Sequence, residues 1–335
     1  MGEALIYVDD DLPGITRQKK GKGWCYFDPD GKRITDKDQI ERLNAIAFPP
    51  AYEDAWFSPA SNGHILATGY DEKGRKQYRY HPDFRAQREG EKFEACRTFG
   101  HKLPLLRARL DDDLSGRKLD KDRVVAAMVR LLDLTSIRVG NEQYAERNKS
   151  YGATTLRRRH AKRTGRKLTL SFKAKSNKHR EVAITDRKLL AIVKKMEDLP
   201  GQHLFQYIDD DGEPHAVQSC HVNDYIRESM GESFSAKHFR TWSASAHAFE
   251  LLADGEGDMT LKSVMDEVAA DLGNTPTIAR NSYVHPAVVA LIKAGQEEWR
   301  EKLELPRKTK YLTRHERGLI DFLDGWTAAD MVTED

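Results

Sequence analysis

Cysteine is scarce in this chain of 335 residues, and the three that occur, Cys25, Cys96 and Cys220, lie far apart. None belongs to a CxxC pair, the spacing from which zinc sites and redox pairs are commonly built. The sequence therefore indicates neither a zinc site nor a disulfide framework, and we expect no metal. A chain without disulfides is typical of a reducing compartment.

Long apolar runs are also lacking. No stretch approaches the ~20 apolar residues that a helix needs to cross a bilayer, so we expect no membrane partner. The N-terminal letters MGEALIYVDDDLPG contain no basic region followed by an apolar core, as a secretory signal would, and we expect a cytoplasmic protein. The phosphate-binding pattern GxxxxGK followed by Ser or Thr is missing too, which argues against a nucleotide cofactor.

A strong net charge is absent as well, because 55 lysines and arginines face 53 acids. The charges are unevenly distributed, however. Residues 154–167 (TTLRRRHAKRTGRK) contain no acid, whereas acids gather at 111–113, at 209–211 and at the C-terminus. The acidic triplets fit no EF-hand spacing and are interpreted as turns. The basic run is either a solvated face or flexible hairpin connection, or a source of salt-sensitive contacts with nucleic-acid phosphates.

The first part of the chain predicts a small antiparallel β domain over residues 1–87. LIYVDDD (5–11), GWCYF (23–27), AWFSP (55–59), HILATGYD (64–71) and RKQYRYH (75–81) are typical of strands. Between them, Asp28-Pro29-Asp30-Gly31 has the residue types that a tight turn needs. A helix is expected around 37–46.

From residue 88 onward the pattern predicts a mainly helical domain over 88–335. Apolar residues recur at helical spacing in 124–132 and 189–196, and the second stripe ends before Pro200-Gly201. A long helix is expected from Pro286 through Trp299, and a last one near 314–324 with Thr313 and Glu316 at capping-box spacing. Two hairpins are expected at 167–185 and 204–217, so the fold class is α+β.

Five side chains stand in distinctive settings. The phrases SIRVGNEQYAERN (136–148), LSFKAKSNKH (170–179), AKHFRTW (236–242) and NTPTIARNSYVHP (274–286) hold Arg138, Lys175, Arg240, Asn274 and Tyr283. This set suits metal-free transfer of a phosphoryl group to a phenol, although ionising a tyrosine at neutral pH costs about 4 kcal/mol. Arginine matches phosphate oxygens with a planar charged fork. Lysine can protonate a leaving oxygen, and an asparagine amide can donate one further hydrogen bond.

In this order and these settings the five residues resemble those of the type IB DNA topoisomerases, in the bacterial and poxvirus-like branch. The resemblance implies a two-lobed DNA clamp with a β-rich N-terminal domain and a mainly α-helical catalytic domain of the tyrosine recombinase and type IB topoisomerase kind. Tyr283 would form a 3′-phosphotyrosyl link, Arg138 and Arg240 would clamp the scissile phosphate, and Lys175 would be the general acid. Asn274 would donate to a phosphate oxygen, at a position where many members carry histidine.

The resemblance also implies DNA contacts. Gln77, Tyr78 and Tyr144 match positions that contact DNA in the family, and Lys237 lies three residues before Arg240, where recombinases typically place histidine. AFPPAYEDAWFSP (47–59) is similar to the family's N-terminal clamp domain. A member would relax supercoiled duplex DNA without ATP, metal or other cofactor. We therefore expect double-stranded DNA as partner, a monomer, and a place at the nucleoid.

Other readings of the same residues stay open from sequence alone. Arg138 could be a helix-end cation, and Lys175, with Lys173 as its rival, could lie on a solvated hairpin edge. Arg240 could form a cation–π contact with Phe239 or Trp242, and Asn274 could be a helix N-cap, alone or alongside a phosphate contact. For the whole chain, the alternatives are a tyrosine site-specific recombinase and a non-catalytic DNA-binding protein of the same fold.

Overall fold

The computed structural model describes residues 4–21, 23–231 and 234–326. The chain divides into two compact units, Met1–Glu91 and Lys92–Asp335. The first is mainly β and the second mainly α-helical, so the predicted α+β class is confirmed. Within the described ranges, no helix combines the length and the apolar character needed to cross a bilayer.

The first unit is a five-stranded antiparallel sheet with one helix. Its elements are β1 (Ile15–Lys20), β2 (Gly23–Phe27), α1 (Lys37–Ala45), β3 (Glu53–Phe57), β4 (Ile65–Tyr70) and β5 (Lys76–Tyr80), and the strand order is β2-β1-β3-β4-β5. A buried core of Ile15, Tyr26, Leu43 and Phe57 joins α1 to the sheet. The turn at Asp28–Gly31 is confirmed, because Gly31 N–H donates to Asp28 O at 2.9 Å. The helix expected around 37–46 is confirmed as α1.

The strand expected at 5–11 is wrong. Only Ile6 pairs there, in an isolated bridge with Gly63. The aspartates that follow favour a turn over a ladder, since Asp11 N–H donates to the Asp9 carboxylate at 3.0 Å and Leu12 N–H to Asp9 O.

A long helix, α2 (Pro82–Ser115), begins earlier than the predicted shift at residue 88, with proline at its first position, where the missing N–H costs nothing. The predicted domain boundary between residues 87 and 88 falls within this helix and stays a prediction. The reading of 111–113 as a turn is wrong, because these aspartates form part of the last turns of α2. Asp111 lies 3.3 Å from Lys188 and 3.1 Å from Lys310, which explains acids at this place without a turn.

The second unit packs its helices around α3 (Lys121–Thr135), whose Val124–Val129 stretch is buried throughout. A helix that is apolar on all sides belongs in the middle of a core. The further helices are α4 (Glu142–Asn148), α5 (Arg187–Glu197), α6 (Ser219–Met230), α7 (Ala236–Asp254), α8 (Leu261–Leu272), α9 (Pro276–Ser282), α10 (Pro286–Lys293), α11 (Gln296–Glu301) and α12 (Arg314–Asp324). The predicted stripes of α3 and α5 are buried, and Thr313 and Glu316 form the predicted capping box of α12.

Both predicted hairpins of the second unit are present. β7 (Lys167–Lys173) pairs with β8 (His179–Ile184), and β6 (Ala161–Thr164) extends them to three antiparallel strands. β9 (Gln206–Ile208) pairs with β10 (Pro214–Ala216) around the acidic turn at 209–211. The single helix expected from Pro286 through Trp299 is wrong, because the extended residues Ala294 and Gly295 separate α10 from α11.

Candidate active site

Four of the five predicted site residues come together in the second unit. Arg138 follows α3, Arg240 lies on α7, Asn274 follows α8, and Tyr283 ends α9. We call these four residues the Tyr283 cluster. More than 100 residues of sequence separate Arg138 from Tyr283, so the tertiary structure, not local sequence, creates their proximity.

The backbone at Arg138 is tightly held. Helix α3 ends at Ser136, whose φ of 49° turns the chain out of the helix. Arg138 O then accepts from Ala153 N–H at 2.8 Å, and Val139 O accepts from Thr154 N–H at 2.7 Å. A Cβ atom at Gly152 would lie 2.5 Å from Arg138 O, so only glycine permits this approach. Arg138 is therefore presented from a rigid crossing of two chain segments.

Arg240 is the buried member of the cluster, with only 4% of its surface exposed. Its guanidinium donates to Ser136 O and, at 3.2 Å, to Leu272 O, which ties α7 to the ends of α3 and α8. The same guanidinium lies 4.7 Å from the ring centroid of Tyr283. The cation–π alternative for Arg240 thus concerns Tyr283 itself, not its helix neighbours.

Asn274 is bound to Arg138, since its Oδ1 accepts from an Arg138 Nη at 2.8 Å. It is not the N-cap of α9. Thr275 occupies that position, and its hydroxyl accepts from Ile278 N–H at 3.3 Å. The interpretation of Asn274 as a helix cap is therefore wrong. Its side-chain amide does not cap α9 and lies within the Tyr283 cluster.

Tyr283 is half-buried, and the chain on both sides of it is anchored. Ser282 O accepts from the Lys92 ammonium at 3.0 Å, and the buried Ser245 hydroxyl accepts from His285 N–H at 2.9 Å. Burial by itself raises the pKa of the Tyr283 phenol, but the charges of Arg240 and Arg138 outweigh it and hold the pKa below its usual value of 10.0. The phenol is thus easier to ionise than a free tyrosine.

Two buried donors of the cluster have no hydrogen-bond partner among the described residues: Asn274 Nδ2 and Arg240 Nε. Buried polar groups are normally paired, because an unpaired one costs about 1–3 kcal/mol. These two donors, together with the positive charges of Arg138 and Arg240, make the cluster suited to an anion with several oxygens.

Lys175 is not part of the cluster in this structure. It lies exposed in the turn between β7 and β8, and none of the described residues forms a hydrogen bond or ion pair with it. Lys173, its rival, is exposed as well. The hairpin lysine that does reach the cluster is Lys178, whose ammonium donates to Asn274 O at 2.7 Å.

Sequence reasoning also missed Arg180, on β8. Its guanidinium donates to Ala270 O at 2.9 Å and to Asp271 O, at the end of α8. Burial lowers its pKa, the nearby Asp271 opposes that effect, and Arg138 adds to it. The alternating pattern of the predicted hairpin could place Arg180 on one face of a strand. Such a pattern cannot identify a partner ninety residues away in the sequence.

The predicted DNA-contacting residues occupy varied places. In the first unit, Gln77 donates to the Asp71 carboxylate at 3.0 Å, and Tyr78 is 44% exposed and stacked on Tyr80 with centroids 5.8 Å apart. In the second unit, Tyr144 is half-buried on α4 and Lys237 is exposed on the first turn of α7. Their contacts with DNA stay predictions.

The basic run 154–167 is not a flexible connection. Arg157 pairs with Glu142, Arg158 donates to the Met196 and Leu199 carbonyls, and Arg163 lies 3.3 Å from Glu197. Five cations of the run are exposed, and the side chains of three of them, Lys162, Arg166 and Lys167, form no hydrogen bond or ion pair with any of the described residues. Part of the run is therefore structural, and part remains free to meet a ligand.

Two groups of side chains in the described ranges are close enough to share a metal ion: Glu250, Asp254 and His315, and Asp9 to Asp11. Neither group contains a member of the Tyr283 cluster. In the first, Nδ1 of His315 lies 3.4 Å from Glu250 and Nε2 lies 3.0 Å from Asp254. Each carboxylate thus faces a different ring nitrogen, an arrangement that fits ion pairing.

Comparison with known proteins gives two family matches. Residues 81–309 match the catalytic core of eukaryotic DNA topoisomerase I, and residues 23–71 match the N-terminal domain of bacterial DNA topoisomerase IB. The chain is 34% identical over 301 residues to DNA topoisomerase 1B of Acanthamoeba polyphaga mimivirus, covering 85% of this chain and 89% of that protein. It is 27% identical over 232 residues to DNA topoisomerase 1 of Mycosarcoma maydis, covering 62% of this chain but only 23% of that protein.

Solved structures of a XerH site-specific recombinase are similar over about half of each chain. The pre-cleavage complex with difH substrate has 14% identity and a TM-score of 0.38, and covers 55% of this chain and 49% of that chain. The post-cleavage complex with palindromic difH has 13% identity and a TM-score of 0.36, and covers 54% and 47%.

Proposed function

This chain belongs to the type IB DNA topoisomerase family, and on that premise we propose that Tyr283 cuts and reseals one strand of duplex DNA so that supercoils relax. The observation that carries the proposal is the setting of the phenol. Two arginines lower its pKa, and two unpaired donors lie in the same cluster. A nucleophile and an anion site are thus combined.

In the cutting step, the Tyr283 phenol loses its proton to solvent water and its oxygen bonds to the scissile phosphorus. The bond from phosphorus to the 5′ oxygen breaks, and the Lys175 ammonium gives that oxygen a proton. One end then carries a 3′-phosphotyrosine and the other a free 5′ hydroxyl. Resealing is the reverse of this step, after the held duplex has rotated.

Arg138 and Arg240 stabilise the charge that builds up on the two non-bridging oxygens. Loss of one such preorganised contact typically costs about 3–4 kcal/mol in the transition state. Asn274 Nδ2, which is buried and unpaired, supplies a further donor to the same oxygens. Its Oδ1 at the same time orients Arg138, so the asparagine acts on the phosphate directly and through the arginine.

Lys175 acts as the general acid, by its register in the family phrase. Its exposed place in the hairpin turn lets it reach the 5′ oxygen only when DNA lies over the cluster. Gln77, Tyr78, Tyr144 and Lys237 contact the duplex, and the exposed cations of the run 154–167 contact its phosphates. These contacts follow from the family positions and from exposed charge.

The bond energy of the cut strand is kept in the phosphotyrosine, so the reaction uses neither ATP nor a metal. The partner is double-stranded DNA, and the enzyme acts as a monomer. DNA as substrate also supports a cytoplasmic location at the nucleoid.

The test is relaxation of negatively supercoiled plasmid in EDTA without ATP. We expect relaxation by the wild type and none by Tyr283→Phe, which lacks only the nucleophilic oxygen. Tyr207→Phe is the matched control, because Tyr207 is another half-buried tyrosine of the second unit, outside the cluster. Covalent adducts trapped on DNA should yield a phosphotyrosine peptide that contains Tyr283.

A wild type that fails to relax the plasmid, or a Tyr283→Phe variant as active as the wild type, would contradict the proposal. A requirement for two matched sites, with strand-exchanged products, would instead identify a recombinase.

A further inference from the structure

The end of α8 is held by arginines from two different elements. The last carbonyls of a helix lack partners within the helix and attract cations. Here Arg180 of β8 donates hydrogen bonds to Ala270 O and Asp271 O, and Arg240 of α7 donates one to Leu272 O. Three consecutive carbonyls therefore point at guanidinium groups, directly before the chain reaches Asn274.

Gly273 makes this packing possible. It ends α8 with a φ of 64°, in the left-handed region that side chains disfavour. A Cβ atom there would lie 2.9 Å from Cδ of Arg180. The stem of Arg180 is thus packed against the residue that precedes Asn274, and the position of that asparagine depends on the arginine.

Lys178 ties the other end of the hairpin turn to the same place. Its ammonium donates to Asn274 O at 2.7 Å. Its own carbonyl accepts from Ala174 N–H at 2.7 Å, which closes the turn that carries Lys175. Within this turn Ser176 and Asn177 have φ values of 63° and 59°, so the closed loop has a definite and unusual shape.

We infer that Arg180 and Lys178 are positioning residues that dock the β7–β8 hairpin on the Asn274 segment and thereby set where Lys175 delivers its proton. Through this docking, the position of Lys175, which protonates the leaving oxygen, is fixed relative to Asn274, which holds the phosphate. The inference rests on the proposed role of Lys175 as general acid.

The experiment measures single-turnover cleavage of two DNA duplexes that differ in one atom. One has the natural 5′ oxygen at the scissile bond, and the other has sulfur there. A thiolate leaves without a proton, so a defect in general-acid catalysis disappears on the sulfur substrate. The variants are Lys178→Met, Arg180→Met and Lys175→Ala, with the exposed Lys194→Met and Arg187→Met of α5 as matched controls.

We expect Lys178→Met and Arg180→Met to cleave the oxygen substrate roughly 10- to 100-fold more slowly than wild type, which is part of the effect of a whole general acid. On the sulfur substrate both should come within about threefold of wild type, and the α5 controls should match wild type on both. Lys178 is exposed, so its variant tests the inference even if Arg180→Met folds poorly.

Wild-type rates for Lys178→Met on the oxygen substrate would overturn the inference, as would an equal defect on both substrates. Failure of Lys175→Ala to recover on sulfur would be a different result. It would overturn the general-acid role itself, and the docking inference with it.

Discussion

The acidity of Tyr283 is set by opposing effects at the scale of single residues. Burial raises the pKa of the phenol, while the charges of Arg240 and Arg138 lower it further than burial raises it. Each unit of pKa corresponds to about 1.4 kcal/mol, so the arginines reduce the cost of forming the nucleophile before any substrate is bound. In the proposed mechanism the same two charges also stabilise the phosphate oxygens.

Replacing Arg138 by methionine should therefore change the pH dependence of cleavage. With one cation removed, the pKa of Tyr283 rises, and the rising limb of the single-turnover rate moves to higher pH. The rate at neutral pH should fall by about 10²- to 10³-fold, the usual cost of one such contact. Arg138→Lys keeps the charge and should keep the limb near its wild-type pH. An unshifted profile in Arg138→Met would show that this arginine does not affect the phenol.

At the scale of elements, the site depends on segments that cross without room for a side chain. Gly152 passes over Arg138 O in this way, and its φ of −142° is open to any residue. Only the contact, and not the backbone conformation, demands glycine there.

Gly152→Ala should therefore displace the Arg138 segment and slow cleavage by at least about 10-fold, since small misplacements of catalytic groups are costly. Gly90→Ala in α2 is the control, because nothing lies within 4 Å of a Cβ there. It should leave cleavage unchanged and stabilise the helix by about 0.5–1 kcal/mol. Single-turnover assays measure cleavage, and urea unfolding measures stability. If Gly152→Ala cleaved at the wild-type rate, the close approach at Gly152 would not be needed to position Arg138.

A buried ion network holds α2, α3 and α12 together. Arg107 lies 2.8 Å from both Asp133 and Glu316, and Trp242 donates to Glu316 at 3.2 Å. Burial raises the pKa of Glu316, but Arg107 outweighs it, so the pKa lies below the usual 4.5. A carboxylate with a depressed pKa stabilises the fold above its unfolded pKa, and this stability is lost as the pH falls through the folded value.

Glu316→Gln should thus lower the free energy of unfolding by about 3 kcal/mol at pH 7, because the buried Arg107 would lose one of its two carboxylate partners. The gap to wild type should narrow below pH 4.5, where the wild-type carboxylate is protonated on unfolding. Glu298→Gln on α11, an exposed partner of Lys302, should cost less than about 0.5 kcal/mol. Urea titrations at several pH values measure the free energy of unfolding of both variants. If the difference between Glu316→Gln and wild type did not change with pH, the charge of Glu316 would have no role in stability.

At the scale of the whole molecule, the net charge is only +2, so the salt dependence of DNA binding should come from cations that are concentrated locally on the surface. In the run 154–167, four arginines are engaged within the fold: Arg157, Arg158, Arg159 and Arg163. The proposed phosphate contacts therefore fall to Lys162, Arg166 and Lys167.

Replacing Lys162 and Lys167 together by methionine should weaken duplex binding and reduce the slope of log affinity against log salt by roughly 0.9 for each lost phosphate contact. Lys194→Met should leave the slope unchanged. Equilibrium binding of one duplex at several salt concentrations measures the slope; an unchanged value in the double variant would show that this face does not meet DNA.

Elements with local signals could be predicted from the sequence. The β7–β8 hairpin alternates, α5 carries an apolar stripe, and Thr313 with Glu316 begins α12. Where tertiary contacts decide, local reasoning was wrong. The helix expected over 286–299 is broken at Ala294 and Gly295. Directly after the break, the side-chain amide of the buried Gln296 accepts from Met259 N–H and donates to Met259 O.

The sequence by itself determined the α+β class, the succession of a β-rich part and a mainly helical part, and the family to which the chain belongs, because residue types and spacing carry those signals directly. Only the tertiary structure decided that Arg240 lies beside Tyr283, and that Lys178 and Arg180 hold the Asn274 segment. The physical reason is distance along the chain. Such contacts join residues about 40 to 100 positions apart through buried charge and helix-end carbonyls, and no local periodicity encodes them.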